Sequence, residues 1–255
     1  MRVVTDTDNL EEEAVRQLKD GGIPVVADER GAIMHDKFVI VDGEYVWTGS
    51  WNLTVNCTYR NNNNAILIRS ADLARNYQAE FAEMFEQRQF GPRSPRSTPL
   101  PEVTVDGTLI ETYFSPEDRP ADEVLSEVAG ARRSIRFMAF SFTDQALAQA
   151  KIERARAGVE VSGIVERRGS ETEYGQLRPL REAGIGVLAD GNPYVMHHKV
   201  IVIDEQTVIT GSYNFSQSAA RDNDENLLII HSVDVARLYL EEFERVRQQA
   251  ASAEP

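Results

Sequence analysis

The chain has 255 residues, 42% of them apolar, enough to bury one large core or two of ordinary size. A formal net charge of −14 disfavours a protein that tracks nucleic acid along a basic groove, and equally one that adheres unaided to a strongly anionic membrane. The single cysteine, Cys57, excludes internal disulfides and cysteine-cluster metal centres, and no apolar run reaches the ~20 residues that span a bilayer.

In chain order, residues 2–4 predict a strand, 10–19 a helix and 23–26 a second strand. Strands follow at 37–41, 45–47 and 65–68, then a helix over Ala71–Gln87. Residues 91–101 carry Pro92, Pro95, Pro99 and Pro101 and read as a stiff, exposed connector. Beyond it come a strand at 109–114, a helix at 121–129, a buried strand at 134–140 and a helix at 144–157 that Gly158 stops. A strand at 159–165, a helix at 174–183 and strands at 185–188, Lys199–Ile203, 207–210 and 226–230 complete the series. A long helix over 233–249 closes it, and the tail from Ala250 is expected to fray. Alternating strands and helices predict an α/β fold.

The later part of this list occurs twice. His35, Lys37, Asp42, Gly49, Ser50 and Asn52 reappear as His197, Lys199, Asp204, Gly211, Ser212 and Asn214, each 162 positions on. The register extends upstream, where Leu18, Gly22, Ile23, Val25, Ala27 and Asp28 face Leu180, Gly184, Ile185, Val187, Ala189 and Asp190. So long a period means duplicated domains rather than a solenoid. Residues 1–90 form a first repeat, 91–108 a linker and 109–250 a second repeat. Met1 faces Gly163, so residues 109 to about 162 have no counterpart at the front. That mismatch predicts a first repeat without its strand-helix-strand unit, from a shortened chain or a late start, and an exposed apolar edge where strands go unpaired. Localisation is therefore left open, although Met-Arg-Val-Val-Thr-Asp is not a secretory signal.

A duplicated core needs similar residues at matched positions; it does not need identical His, Lys, Ser and Asn. Only four lysines and four histidines occur, and two of each lie in these motifs. On a strand, His and Lys at i and i+2 emerge on one face. The apolar runs after them, 38–41 and 200–203, predict rigid strands buried on both sides. A turn then returns the chain to Gly-Ser-x-Asn, where Gly49 and Gly211 would let backbone amides approach a phosphate. Two such copies around a pseudo-two-fold axis would surround a tetrahedral phosphate, with one histidine as nucleophile and one as acid. Lys37, Lys199, Asn52 and Asn214 would hold the non-bridging oxygens, the work metal ions do in other phosphodiesterases. The expectation is a metal-free site without cofactor.

The pattern H-x-K-x4-D followed by G-S-x-N resembles the phospholipase D superfamily, whose members carry two copies. The resemblance covers residues 1–67 and 109–231 and implies two α/β/α repeats facing each other. It further implies a covalent phosphohistidine, with the second histidine as acid and then as base toward water. In the family an acidic residue follows the second motif and reaches the other half's histidine. Glu225, eleven positions after Asn214, matches it; Asn63 stands at the equivalent place after Asn52. On that likeness Glu225 supports His35 as nucleophile and leaves His197 as acid.

Asp42 and Asp204 read mainly as turn residues, and Ser50 and Ser212 stand evenly between turn chemistry and phosphate contact. His198 alternates away from His197 and reads as a plain strand residue, and His231 as surface. Trp51 and Tyr213 read as packing. A phospholipid diester is the leading substrate. A nuclease is the alternative, kept open by Arg132, Arg133, Arg136, Arg167 and Arg168, and a non-catalytic phosphate-binding module is the third reading. A transferase of the cardiolipin synthase kind is disfavoured because no membrane-spanning segment is present. The partners implied are a phosphodiester substrate and, as alternatives, nucleic acid and a second copy of the chain.

Overall fold

The structure, a computed structural model, describes residues 1–253. Its second half is one mixed sheet covered on both faces. The strands are β7 (Thr108–Ser115), β8 (Ser134–Ala139), β9 (Glu160–Val165), β10 (Gly186–Ala189), β11 (Lys199–Ile203), β12 (Thr207–Gly211) and β13 (Glu225–His231). They lie in the order β10-β9-β8-β11-β12-β13-β7, with β6 (Glu102–Val105) added at the β7 edge. Strands β8, β9 and β10 run parallel, as crossover helices require; β11, β12 and β13 form an antiparallel meander. The helices are α4 (Pro120–Gly130), α5 (Gln145–Arg156), α6 (Arg167–Ser170), α7 (Leu177–Glu182), α8 (Gln217–Arg221) and α9 (Val233–Ala253). Asp144 caps α5 through the amide of Leu147.

Three expectations need correction. Residues 102–105, read as connector, form β6, which pairs with β7 through the Asp106-Gly107 turn. Both turn residues have positive φ, the hairpin signal that Asp-Gly carries in the sequence. The helix expected from 174 starts at Leu177, and α6 precedes it, capped by the Glu166 side chain at the amide of Arg168. The tail does not fray at Ala250: α9 runs to Ala253, and the last two residues lie outside the described ones.

The first half repeats only the later elements. Strands β1 (Val3–Thr5), β2 (Val25–Ala27), β3 (Phe38–Val41), β4 (Tyr45–Gly49) and β5 (Ala65–Arg69) match β9 to β13 in order, and β6, β7 and β8 have no counterpart. Helices α1 (Glu13–Asp20), α2 (Val55–Tyr59) and α3 (Ala71–Gln87) match α7, α8 and α9. With no counterpart of β8 between them, β1-β2 and β3-β4-β5 are two separate sheets. Strand β3 is therefore not buried on both faces: Val39 and Val41 are 40% and 45% exposed, and Leu67 on β5 61%. Strand β3 is a free edge, as predicted, and the apolar exposure extends over a whole face of its sheet as far as β5.

Two large cores follow. One fills the space between the big sheet and α4, α5 and α7, built on Ile135, Phe137, Leu147, Leu180, Ile201 and Ile229. The other is shared by both halves: Val46, Ile68, Leu73 and Tyr77 pack with Phe114, Val200, Val208, Leu228, Tyr239 and Phe243. Tyr77 sits edge-on between Phe38 and Phe114, with ring centroids 5.0 and 5.2 Å away. Each such side chain contributes about 1.5–3 kcal/mol on burial, so the shared core fixes the halves against each other. No described helix is long and apolar enough to cross a membrane.

Candidate active site

Each motif histidine is tied to the opposite half by its own backbone. His35 N–H donates to the carbonyl of Asp224 at 2.9 Å, and His197 N–H to the carbonyl of Asn62 at 2.6 Å. Asn62 and Asp224 are themselves 162 positions apart, so these are two copies of one contact across a pseudo-two-fold axis. The histidines thus precede β3 and β11 rather than lying within them; short parallel bridges, Met34 to Asp224 and Asn62 to Met196, keep both segments extended. The i, i+2 geometry survives. Lys37 Nζ donates to the carbonyl of His35 at 2.8 Å and Lys199 Nζ to that of His197 at 3.0 Å.

The rings are held less symmetrically. His197 Nδ1 faces the carbonyl of Ser50 at 2.8 Å. His35 Nδ1 lies 2.6 Å from Glu225 Oε2 instead. Glu225 is fully buried and its position is fixed: Ser212 Oγ donates to the same Oε2 at 2.8 Å, and Asn223 Nδ2 approaches Oε1 at 3.4 Å. Oε2, which already accepts the Ser212 hydroxyl, accepts from Nδ1 as well, so Nδ1 carries the proton and Nε2 of His35 is left as the basic nitrogen. Asn63, the counterpart of Glu225, turns away and donates to the carbonyls of Cys57 and Asn61.

Burial dominates the electrostatics. It pushes His197 down to about 2, with Lys199, Lys37 and His35 adding to the shift. His35 is likewise held well below the usual imidazole range by burial, then by Lys37 and Lys199. Lys37 is lowered to about 8 by burial, partly offset by Glu225 and Asp36; burial and Lys37 lower Lys199 as well. Glu225 is raised to about 8 by burial, against the pull of Lys37, Ser212 and Lys199. The two buried lysines and two imidazoles thus act on one another's charge across the axis, each disfavouring the charged form of the others.

The family model described as "Cardiolipin synthase, PLD-like domain" matches residues 2–85 and 124–247. The chain belongs to the phospholipase D superfamily. A mitochondrial cardiolipin hydrolase of Xenopus laevis is 34% identical over 167 residues, which is 60% of this chain and 80% of that protein. The crystal structure of Nuc, a phospholipase D family member from Salmonella typhimurium, is 31% identical with a TM-score of 0.52, over 56% of this chain and 95% of that one. The phosphatidylserine synthase of Haemophilus influenzae shares the fold across both halves, at 12% identity and a TM-score of 0.71, over 98% of this chain and 74% of that one. The chain's relatives named phospholipase D and cardiolipin hydrolase are hydrolases of phosphodiester bonds and mark it as one, on two pseudo-two-fold-related α/β repeats.

Within this phospholipase D frame the remaining motif residues separate. Ser50 and Ser212 are both fully buried, and their hydroxyls accept the amides of Asn64 and Asn226; they build the turn. Asn214 is 9% exposed and its Oδ1 has no partner, whereas Asn52 is half-buried. Gly49 and Gly211 have a packing reason that the sequence did not show. Their φ values are 148° and 145°, and a Cβ on either would meet a carbonyl, of Asn64 at 2.4 Å or Asn226 at 2.2 Å. The close approach seen here is that of the neighbouring strand. Asp204 accepts the amides of Arg132, Arg133 and Ser134 and so ties down the loop before β8, while Asp42 is exposed.

Sequence reasoning missed three positions. Phe140, just past β8, packs its ring 4.6 Å from that of His197 and 4.5 Å from Lys199 Nζ, forming a wall of the site with no first-half equivalent. His198 is not a plain strand residue: it is fully buried and joins Glu242 on α9 at 2.9 Å to Asn64 of the other half at 3.1 Å. His231 is bonded to Glu111 at 2.7 Å rather than idle at the surface. Tyr213 is a packing residue, as read, and Trp51 sits edge-on to Trp47 at 4.7 Å.

Proposed function

We propose that the chain hydrolyses a phospholipid diester through a covalent phosphohistidine on His35, with no metal ion in the chemistry. The observation that supports it is the asymmetric pairing of the two rings: a carboxylate at 2.6 Å behind His35, a carbonyl alone behind His197. A buried acceptor at Nδ1 raises the basicity of Nε2 and fixes its direction. Nε2 of His35 attacks phosphorus, the bond to the alcohol oxygen breaks, and His197 gives that oxygen its proton. His197 then takes a proton from water as the water oxygen attacks phosphorus, and the P–N bond breaks to restore His35.

Lys37, Lys199, Asn52 and Asn214 hold the non-bridging oxygens and spread their charge. With only protein charges around it, His197 is neutral at pH 7. A phosphodiester anion seated between the lysines reverses that field, so His197 takes up a proton as substrate binds. The lipid substrate rests on the likeness to a cardiolipin hydrolase and on the net charge of −14, which opposes a long polyanion.

The test compares release of phosphatidic acid from cardiolipin and phosphatidylcholine vesicles with plasmid nicking, all in EDTA. Lipid turnover is expected. Nicking without lipid turnover would move the substrate to nucleic acid, and vanadate binding without either would leave a phosphate-binding module. Alkaline quench and peptide mass spectrometry should locate the adduct on His35, and His197→Ala should let it accumulate when the leaving group is p-nitrophenol. An adduct on His197 overturns the assignment of roles.

A further inference from the structure

The middle residue of the first motif, Asp36, corresponds to His198 in the second. On the helices behind them, Glu80 and Glu83 of α3 correspond to Glu242 and Arg245 of α9. In the second half these three positions compensate one another: Glu242 Oε1 lies 2.9 Å from His198 Nε2 and 2.6 Å from Arg245 Nη2. In the first half the same three positions are all acids, and Glu117, in the turn after β7, adds a fourth.

One oxygen from each of Glu80, Glu83 and Glu117 lies within 4.8 Å of the others. Glu80 is 4% exposed and Glu83 2%. Glu83 Oε1, Glu117 Oε2 and both oxygens of Asp36 are buried without a hydrogen-bond partner. Among the described residues no salt bridge reaches any of the four. The cations nearby are committed elsewhere: Arg96 to Asp118, Arg30 to Asp28 and Asp224, and Lys37 to the carbonyl of His35. Burial raises Asp36, Glu80, Glu83 and Glu117 alike, and repulsion from neighbouring acids adds to each. Asp224, Asp118 and Glu225 add to the repulsion; the Ser94 and Ser97 hydroxyls at Glu83, the backbone amide at Glu117 and the pull of Lys37 on Asp36 oppose it.

We propose that Glu80, Glu83 and Glu117 bind a hard divalent cation, calcium foremost, at the place the Arg245 guanidinium fills in the second half. All donors are carboxylate oxygens, which select calcium, magnesium or manganese over zinc or copper. Calcium–oxygen distances of ~2.3–2.6 Å let two ligands on one ion stand up to ~5 Å apart, which the 4.8 Å grouping meets. The ion lies behind the H-D-K segment and neutralises the charge facing Asp36. It is a structural counter-ion, separate from the phosphate chemistry, and binds whatever the substrate.

The test is thermal unfolding and calorimetric titration of the full chain, stripped with EDTA and dialysed, against CaCl2 and MgCl2. Calcium at 1 mM should raise the midpoint by roughly 5 °C with one site per chain, and magnesium should do less. Glu83→Arg, which copies the second half, should abolish the midpoint rise and the titrated site, with Glu83→Gln as the comparison if the arginine variant does not fold. No calcium effect on the unaltered chain would overturn the proposal. So would an equal effect in the variants, which would place the ion elsewhere, such as at Glu111, Glu127 and His231.

Discussion

The same sheet face meets different surroundings in the two halves. In the second, Ile201, Ile203 and Ile229 lie under α4, α5 and α7 and are at most 4% exposed. In the first, their counterparts Val39, Val41 and Leu67 are 40% or more exposed, and the sheet is split where β8 has no partner. The motif backbone is nonetheless placed alike in both, because it depends on the opposite face. There α3, α9 and the shared core press the halves together, and each histidine is pinned by a carbonyl from across the axis. The covering layer governs stability; the shared layer governs the site.

The sharpest break of that comparison is in the core. Ile201→Ala should destabilise the chain by about 2–5 kcal/mol in urea unfolding, whereas Val39→Ala at the matched position should cost under about 1 kcal/mol. Equal losses would mean the first-half face is covered in solution. Next comes the support of the rings. Glu225→Gln should lower kcat by about 10–100-fold with a smaller change in KM, while Asn63→Ala should stay within about twofold.

A smaller effect is expected at the motif aspartates. Asp204 is held below the usual carboxylate range despite its burial, because the amides of Ser134, Arg133 and Arg132 and the Arg133 charge favour the anion. Asp204→Asn should cost about 1–2 kcal/mol at pH 7, and Asp42→Asn close to nothing. A depressed acid stabilises above its unfolded pKa, so the Asp204 difference should vanish as pH falls below about 4. The least of the four is a pH effect on turnover. With Lys37 lowered to about 8, its positive charge is lost above that pH, and kcat/KM should decline there by up to tenfold per pH unit. A flat profile to pH 9.5 would remove Lys37 charge from substrate binding.

Much of the fold could be read before any coordinates. Strand β11 and helix α3 were bounded to the residue, because an apolar run and a 3.6-residue stripe signal themselves locally. The paired His, Lys, Ser and Asn stood out because identical polar residues at one offset have no packing reason to recur. Strand β6 was missed because prolines nearby outweighed the Asp-Gly turn beside it.

Taken alone, the amino-acid order determined the duplication, the family, the unmatched front segment and, through position 225, which ring has a carboxylate behind it. Only the tertiary structure decided where the glycines are needed, that Phe140 walls the site and that His198 joins the two halves. It alone brought Glu80, Glu83 and Glu117 together, with Asp36 facing them and, among the described residues, no salt bridge to any of the four. The reason is physical: periodicity and motif spacing act along a strand or helix, while burial and charge compensation depend on which segments meet in space. Those meetings arise from folding two halves against each other.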